Sequence, residues 1–154
     1  MKSKGCISDF ENSLAPCLGK TEKVVGYYLQ EAFHSANLDL TKEQMIVLIK
    51  LHLKDGLNQN ELAMLTYRDK SSLARLLSKM ERKNYIVRKQ NNEDKRINEI
   101  FLTDDGRSIF KRSKLVVEGL RAIMEEDISE VDKQRVIQIL KKVQFNLTAR
   151  RGAL

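Results

Sequence analysis

Between Thr41 and Asp69 the chain carries three helix-start signals within about thirty residues, a spacing that restricts this stretch to short helices joined by tight turns. Thr41 is an N-cap, because Gln44 stands three residues on as its capping-box partner while Leu40 and Met45 are placed for a hydrophobic staple. The pattern predicts a helix over 42–54, stopped by Gly56 in the left-handed conformation. Asn58 repeats the arrangement with Glu61 and the staple pair Leu57 and Leu62, predicting a short helix over 59–66. Asp69 is the third cap. In the helix that follows, Leu73, Leu76, Leu77 and Met80 fall within one stripe of about 100° at helical spacing. Ser71, Arg75, Ser78, Lys79 and Arg82 occupy the opposite side. A short helix, a turn and a helix that is apolar inside and basic with small hydroxyls outside form the pattern of a helix-turn-helix.

After Asn84, which can end the helix in the left-handed conformation, the pattern becomes that of strands. Tyr85–Lys89 and Asn98–Leu102 are rich in β-branched and aromatic residues, and the polar run Gln90–Arg96 between them is made of turn formers. Two strands and a charged loop make a wing, which carries Arg88, Lys89, Lys95 and Arg96.

Charge agrees with this reading. The formal net charge is +7, and from Arg68 to Arg96 ten basic residues face four acidic ones, so nearly all of the excess lies there. Such a local excess is a footprint for a polyanion; the alternative is a solvated basic surface without a ligand.

The flanks read as longer helices. Thr103 caps one, with Asp104 and Asp105 at its positive end and Ile109, Phe110, Val116, Val117, Leu120, Ile123 and Met124 on its apolar face. Ser129 and Asp132 start the last helix, where Val136, Leu140, Val143 and Leu147 recur at alternating four- and three-residue steps, a coiled-coil seam. Phe10, Leu14, Leu18, Val25, Tyr28, Leu29 and Phe33 give the first 35 residues a helical stripe, which Pro16 either starts at its first turn or kinks. These apolar positions outnumber what one winged unit can cover, so the two ends are expected to pack together and against a second copy. The expected fold is therefore mainly α. Residues 1–36 form an N-terminal dimerisation region, residues 37–103 a winged helix-turn-helix DNA-binding lobe with its recognition helix at about 70–82 and its wing at about 85–102, and residues 104–154 C-terminal helices for linkage and dimerisation.

A chain of 154 residues with 42% hydrophobic content can bury its own core without disulfides or a structural metal. Its single proline, seven glycines and lack of tryptophan fit a mostly helical protein with short connections. Cys6 and Cys17 suit a reducing compartment, and a cytoplasmic protein is expected. The longest apolar run is Met45–Ile49, so neither a signal peptide nor a membrane span is expected. No Gly-rich phosphate loop, nucleophile elbow or Cys-x-x-Cys pair is found, which argues against an enzyme and against a cofactor. His34 and His52 lie near the ends of the first two long helices, but two histidines without clustered carboxylates make a poor metal site, and none is expected.

These residues resemble the MarR (multiple antibiotic resistance regulator) winged-helix transcription factors. The resemblance runs from Leu62 to Phe110 through Leu62-Ala63, Asp69-Lys70-Ser71-Ser72, Arg75-Leu76, Met80-Glu81-Arg82-Lys83-Asn84, Glu93-Asp94-Lys95-Arg96 and Leu102-Thr103-Asp104-Asp105-Gly106. Its most specific part is Asp94-x-Arg96 followed by Leu102-Thr103. Asn84 stands where the family usually has glycine before the first wing strand, and Thr66-Tyr67 where a Leu-Gly pair often precedes the recognition helix.

The resemblance implies a homodimeric, sequence-specific regulator, a ligand-responsive repressor, on a pseudo-palindromic operator. The helix from Lys70 would enter the major groove, with Lys70, Ser71, Ser72, Arg75, Ser78 and Lys79 facing DNA, and Arg88, Lys89 and Lys95 would add wing contacts. Arg96 would lie in the adjacent minor groove, held in place by Asp94. Relatives bind small aromatic or phenolic compounds in a crevice, for which Tyr27, Tyr28, Phe33 and His52 are the candidates here, core aromatics being the alternative. Some members sense oxidants through a cysteine on the first helix; Cys17 lies about three residues, nearly one turn, from that position, and a buried structural thiol is the expected role. The competing function is a non-catalytic architectural or protein-interaction winged helix, which would use the same basic patch without reading sequence.

Overall fold

A computed structural model describes residues 10–150. Six helices are named here in chain order: α1 (Leu14–Ser35), α2 (Lys42–Leu53), α3 (Gln59–Thr66), α4 (Lys70–Arg82), α5 (Asp104–Met124) and α6 (Glu130–Thr148). Strands β1 (Leu57–Asn58), β2 (Ile86–Gln90) and β3 (Asn98–Leu102) form an antiparallel sheet in the order β1-β3-β2. The architecture is mainly helical, with α3 and α4 as a helix-turn-helix and β2 and β3 as the wing. The chain divides into two compact units, one ending at Leu120 and one beginning at Arg121, so α5 crosses the division.

Local side-chain chemistry accounts for the helix starts. Thr41 and Gln44 form a reciprocal capping box, as do Asn58 and Glu61, and Asp69 accepts the Ser72 amide at 2.8 Å. Thr103 accepts the Gly106 amide at 3.0 Å, and Ser129 that of Asp132 at 3.1 Å. Each bond satisfies an amide that the helix itself leaves unpaired. Pro16 sits in the first turn of α1, where its missing N–H is not needed, and it starts the helix instead of kinking it.

The stop at Gly56 is a correction. α2 ends at Leu53, because Lys54 has already turned to extended dihedrals (φ −148°, ψ 101°). The positive φ of Gly56 (77°) serves the next step instead, bringing its N–H to the Ile100 carbonyl at 3.0 Å and leading the chain into β1. β1 itself has only two residues, Leu57 opposite Ile100 and Asn58 opposite Glu99.

The core of the first unit gathers one face of every element around it. Leu73, Leu77 and Met80 of α4 are fully buried against Leu48, Leu51, Leu62 and Phe33, with Ile86, Ile100 and Leu102 of the wing closing one side. Burying a side chain of this size contributes about 1.5–3 kcal/mol, so the apolar stripe of α4 fixes which face is left for other work. Gly106 makes the closest backbone approach: a Cβ there would stand 2.0 Å from the Tyr85 carbonyl oxygen.

In the second unit no residue of α6 is buried. Val136, Ile139, Phe145 and Leu147 are exposed, and Lys133 pairs with Glu125 and Glu130. The start of α1 and the segment before it are similarly uncovered, with Leu14 and Phe10 exposed. Cys17, expected as a buried thiol, is exposed, because only the Phe33 end of α1 reaches the core of its own chain. Cys6 lies outside the described residues.

Candidate nucleic-acid interface

With its leucine stripe buried, α4 turns Lys70, Ser71, Arg75, Ser78, Lys79 and Arg82 outward. Ala74, Arg75, Ser78, Lys79, Glu81 and Arg82 line a shallow open groove along that face. Ser72 is partly buried at the helix start, where its hydroxyl accepts from Arg68 at 2.9 Å.

The basic residues from Arg68 to Arg96 divide into two groups. Arg68, Lys83 and Arg88 are committed within the chain: Arg68 to Ser72, and Lys83 to the Asp39 carboxylate (2.7 Å) and to Gln44 (3.3 Å). Arg88 donates to the Ser78 hydroxyl at 3.3 Å and pairs with Glu81 at 3.4 Å. In contrast, the side chains of Lys70, Arg75, Lys79, Arg82, Lys95 and Arg96 make no ion pair or hydrogen bond to any described residue. Lys89 lies over the Phe101 ring at 5.2 Å and remains exposed.

The position of Arg88 corrects its expected place among the DNA-facing cations. Side chains alternate along a strand, so Arg88 shares the face of buried Ile86, opposite Ile100, and its guanidinium braces β2 against α4. Its Nε is buried and lacks a hydrogen-bond partner of good geometry. Lys89, one residue on, takes the other face with Val87.

The wing tip is held by short-range hydrogen bonds. Asn91 Oδ1 accepts the amides of Glu93 (2.8 Å) and Asp94 (2.9 Å), and Asn91 Nδ2 donates to Glu99 at 2.7 Å. Asp94 Oδ1 accepts the Arg96 main-chain amide at 3.0 Å. The carboxylate thus fixes the Arg96 backbone and leaves the guanidinium exposed.

Between α3 and α4 the chain turns through Tyr67, whose left-handed conformation (φ 52°, ψ 36°) lets the Arg68 amide reach back to the Ala63 carbonyl at 3.0 Å. A residue with a Cβ adopts this conformation at a cost of roughly 1–2 kcal/mol.

The residues expected to line an effector crevice are not gathered in one place. Phe33 is fully buried and presents no surface to a ligand, whereas Tyr27 and Tyr28 are exposed and meet edge-on with centroids 5.4 Å apart. His52 stacks on Phe110 at 4.4 Å and lines a separate cleft with Ile49, Leu53, Arg107, Lys111 and Lys114. Those cationic rim residues on α5 escaped sequence reasoning, although Arg107, Lys111 and Lys114 recur at helical steps. His34 lies in a different depression, with Gln30, Asp39 and Thr41. Among the described residues no cluster of His, Cys, Asp or Glu could hold a metal ion, and no helix is long and apolar enough to cross a membrane.

Residues 40–97, which span the helix-turn-helix and most of the wing, match the model of the MarR family. The regulator SarZ of Staphylococcus aureus is 33% identical over 103 residues, covering 67% of this chain and 68% of SarZ. Among solved structures, the transcriptional repressor CouR bound to a 23-mer DNA duplex superposes with a TM-score of 0.81 at 22% identity, over 88% of this chain and 95% of that one. BpsR of Bordetella bronchiseptica, whose DNA binding is regulated by 6-hydroxynicotinic acid, has a TM-score of 0.80 at 16% identity, again over 88% of this chain and 95% of its own.

Proposed function

The chain belongs to the MarR family and is a DNA-binding transcription regulator, not an enzyme; from that premise we propose that it acts in the cytoplasm as a homodimeric, ligand-responsive repressor that reads a pseudo-palindromic operator. The observation that carries the DNA face is the division among its cations: those on the outer side of α4 and at the wing tip are uncommitted, whereas Arg68, Lys83 and Arg88 are bonded within the chain.

In this reading α4 lies in the major groove, where Arg75 offers its guanidinium fork to a base edge and Lys70, Ser71, Ser72, Ser78 and Lys79 add phosphate and base contacts. Arg96, with its backbone pinned by Asp94, reaches the adjacent minor groove, while Lys89 and Lys95 neutralise phosphates. With about three to five phosphate contacts per protomer, affinity falls by orders of magnitude from low to moderate salt. Arg88 acts as the brace that sets the wing against α4.

A second copy is supported by the uncovered apolar side chains of α1 and α6, which pairing with another chain would remove from water. A small aromatic or phenolic effector fits the cleft at His52, whose floor is apolar and whose rim carries Arg107, Lys111 and Lys114. The effector would act by preferring one spacing of the two recognition helices over another.

Binding of the Arg75→Ala and Lys89→Ala variants to a preferred duplex and to a random duplex tests the groove assignment. Arg75→Ala narrows the gap between the two duplexes, whereas Lys89→Ala weakens both alike. Equal losses on both duplexes for Arg75→Ala would contradict the placement of α4.

A further inference from the structure

Four described residues other than glycine have a positive φ: Asn37, Tyr67, Asn84 and Asp127. Three are Asn or Asp, whose short polar side chains tolerate the left-handed region, so Tyr67 is the outlier. A glycine in its place would close α3 without strain. The tyrosine gains nothing visible from its own chain in return: the residue is 78% exposed, and its hydroxyl bonds to no described residue.

Its position supplies the missing reason. Tyr67 stands three residues before the first residue of α4, at the end of the recognition helix that contacts base edges in a helix-turn-helix complex. Lys70, three residues on, is exposed and uncommitted, and Asp69, two residues on, caps α4 through the Ser72 amide. An exposed tyrosine hydroxyl at this place is an effective donor to phosphate oxygen.

We propose that Tyr67 is a DNA-positioning residue: its hydroxyl donates to a backbone phosphate beside the major-groove entry of α4, and the strained left-handed backbone is retained because it aims the phenol there. This rests on the placement of α4 in the groove proposed above. The contact carries no base information, so it sets register and affinity and leaves sequence preference unchanged.

The test compares full-length wild type with Tyr67→Phe and Tyr67→Gly on a duplex enriched by the wild-type protein from random sequence and on a scrambled duplex of equal length. Tyr67→Phe keeps the same backbone restriction and ring, so its thermal midpoint stays at the wild-type value while affinity for both duplexes falls by about tenfold, as for loss of a hydrogen bond to a charged group. Tyr67→Gly relieves the strain, so its midpoint rises by a few degrees while its affinity falls at least as far. The slope of affinity against salt is unchanged in both, since no cation is lost. Wild-type affinity in Tyr67→Phe overturns the proposal. Arg75→Ala, measured in parallel, separates the two failures: if it still relaxes base preference, α4 is in the groove and only the role of Tyr67 falls.

Discussion

The carboxylate of Asp55 accepts the main-chain amide of Leu102 at 2.9 Å, so a loop residue after α2 holds the last residue of the wing. Its other oxygen takes the Arg107 guanidinium, on the first turns of α5. Arg107 also lines the cleft at His52, so wing, cleft and α5 meet at this one acid.

Removing the acid and removing its cation have unequal consequences. Asp55→Ala leaves the amide of nearly buried Leu102 unpaired and lowers unfolding free energy by about 1–3 kcal/mol. Arg107→Ala breaks a half-exposed pair and costs at most about 1 kcal/mol. Urea titrations of the two variants check the difference, and equal losses would show that the amide bond is not the important one.

Gly106 tolerates no side chain. The Tyr85 carbonyl in the way belongs to the backbone and also accepts the Thr103 amide at 3.2 Å, so it cannot swing aside as a flexible side chain would. Gly106→Ala is expected to cost on the order of 3–5 kcal/mol, or to prevent folding altogether, as read by circular dichroism and thermal melting.

Tyr85 ties stability to alkaline pH. Burial, with the nearby Asp39 carboxylate, raises its pKa above the ordinary tyrosine value of 10.0, and its hydroxyl donates to the Asp39 carbonyl at 2.9 Å. A folded pKa above the unfolded one means that the stabilisation is complete below about pH 10 and is lost as pH rises through the folded value. Unfolding free energy should thus decline above pH 10, and Tyr85→Phe should flatten the decline while lowering stability at neutral pH. An unchanged slope in the variant would assign the alkaline loss to other groups.

What could be read from the chain was whatever a few neighbouring residues decide. The caps at Thr41, Asn58, Asp69, Thr103 and Ser129 are bonds between a side chain and an amide three residues on, and all are present in the structure. What the sequence concealed depends on distant partners. β1 exists because Leu57 and Asn58 lie against Ile100 and Glu99, and two residues carry no periodicity of their own. The inner-face position of Arg88 follows from strand alternation once Ile86 is known to be buried, yet its charge alone suggested the outer surface. Cys17 was expected inside because free cysteine is among the most buried residue types, yet its part of α1 is not covered by its own chain.

The uncovered α6 makes a prediction of its own. Val136 and Leu147 belong to its heptad-spaced seam and are exposed in the single chain, so Val136→Glu and Leu147→Glu should shift a dimer toward monomer in sedimentation velocity with little loss of helix content. A dimer as stable as wild type in both variants would place the interface elsewhere.

Selection of the purified protein against random duplexes, read by sequencing, tests sequence reading by a symmetric dimer most directly. The expected result is an enriched inverted repeat with half-site centres about 10–10.5 base pairs apart, or a multiple of that spacing. DNA that is bound but not enriched in any sequence would contradict it, and would mean that the cations of α4 and the wing grip only the phosphate backbone.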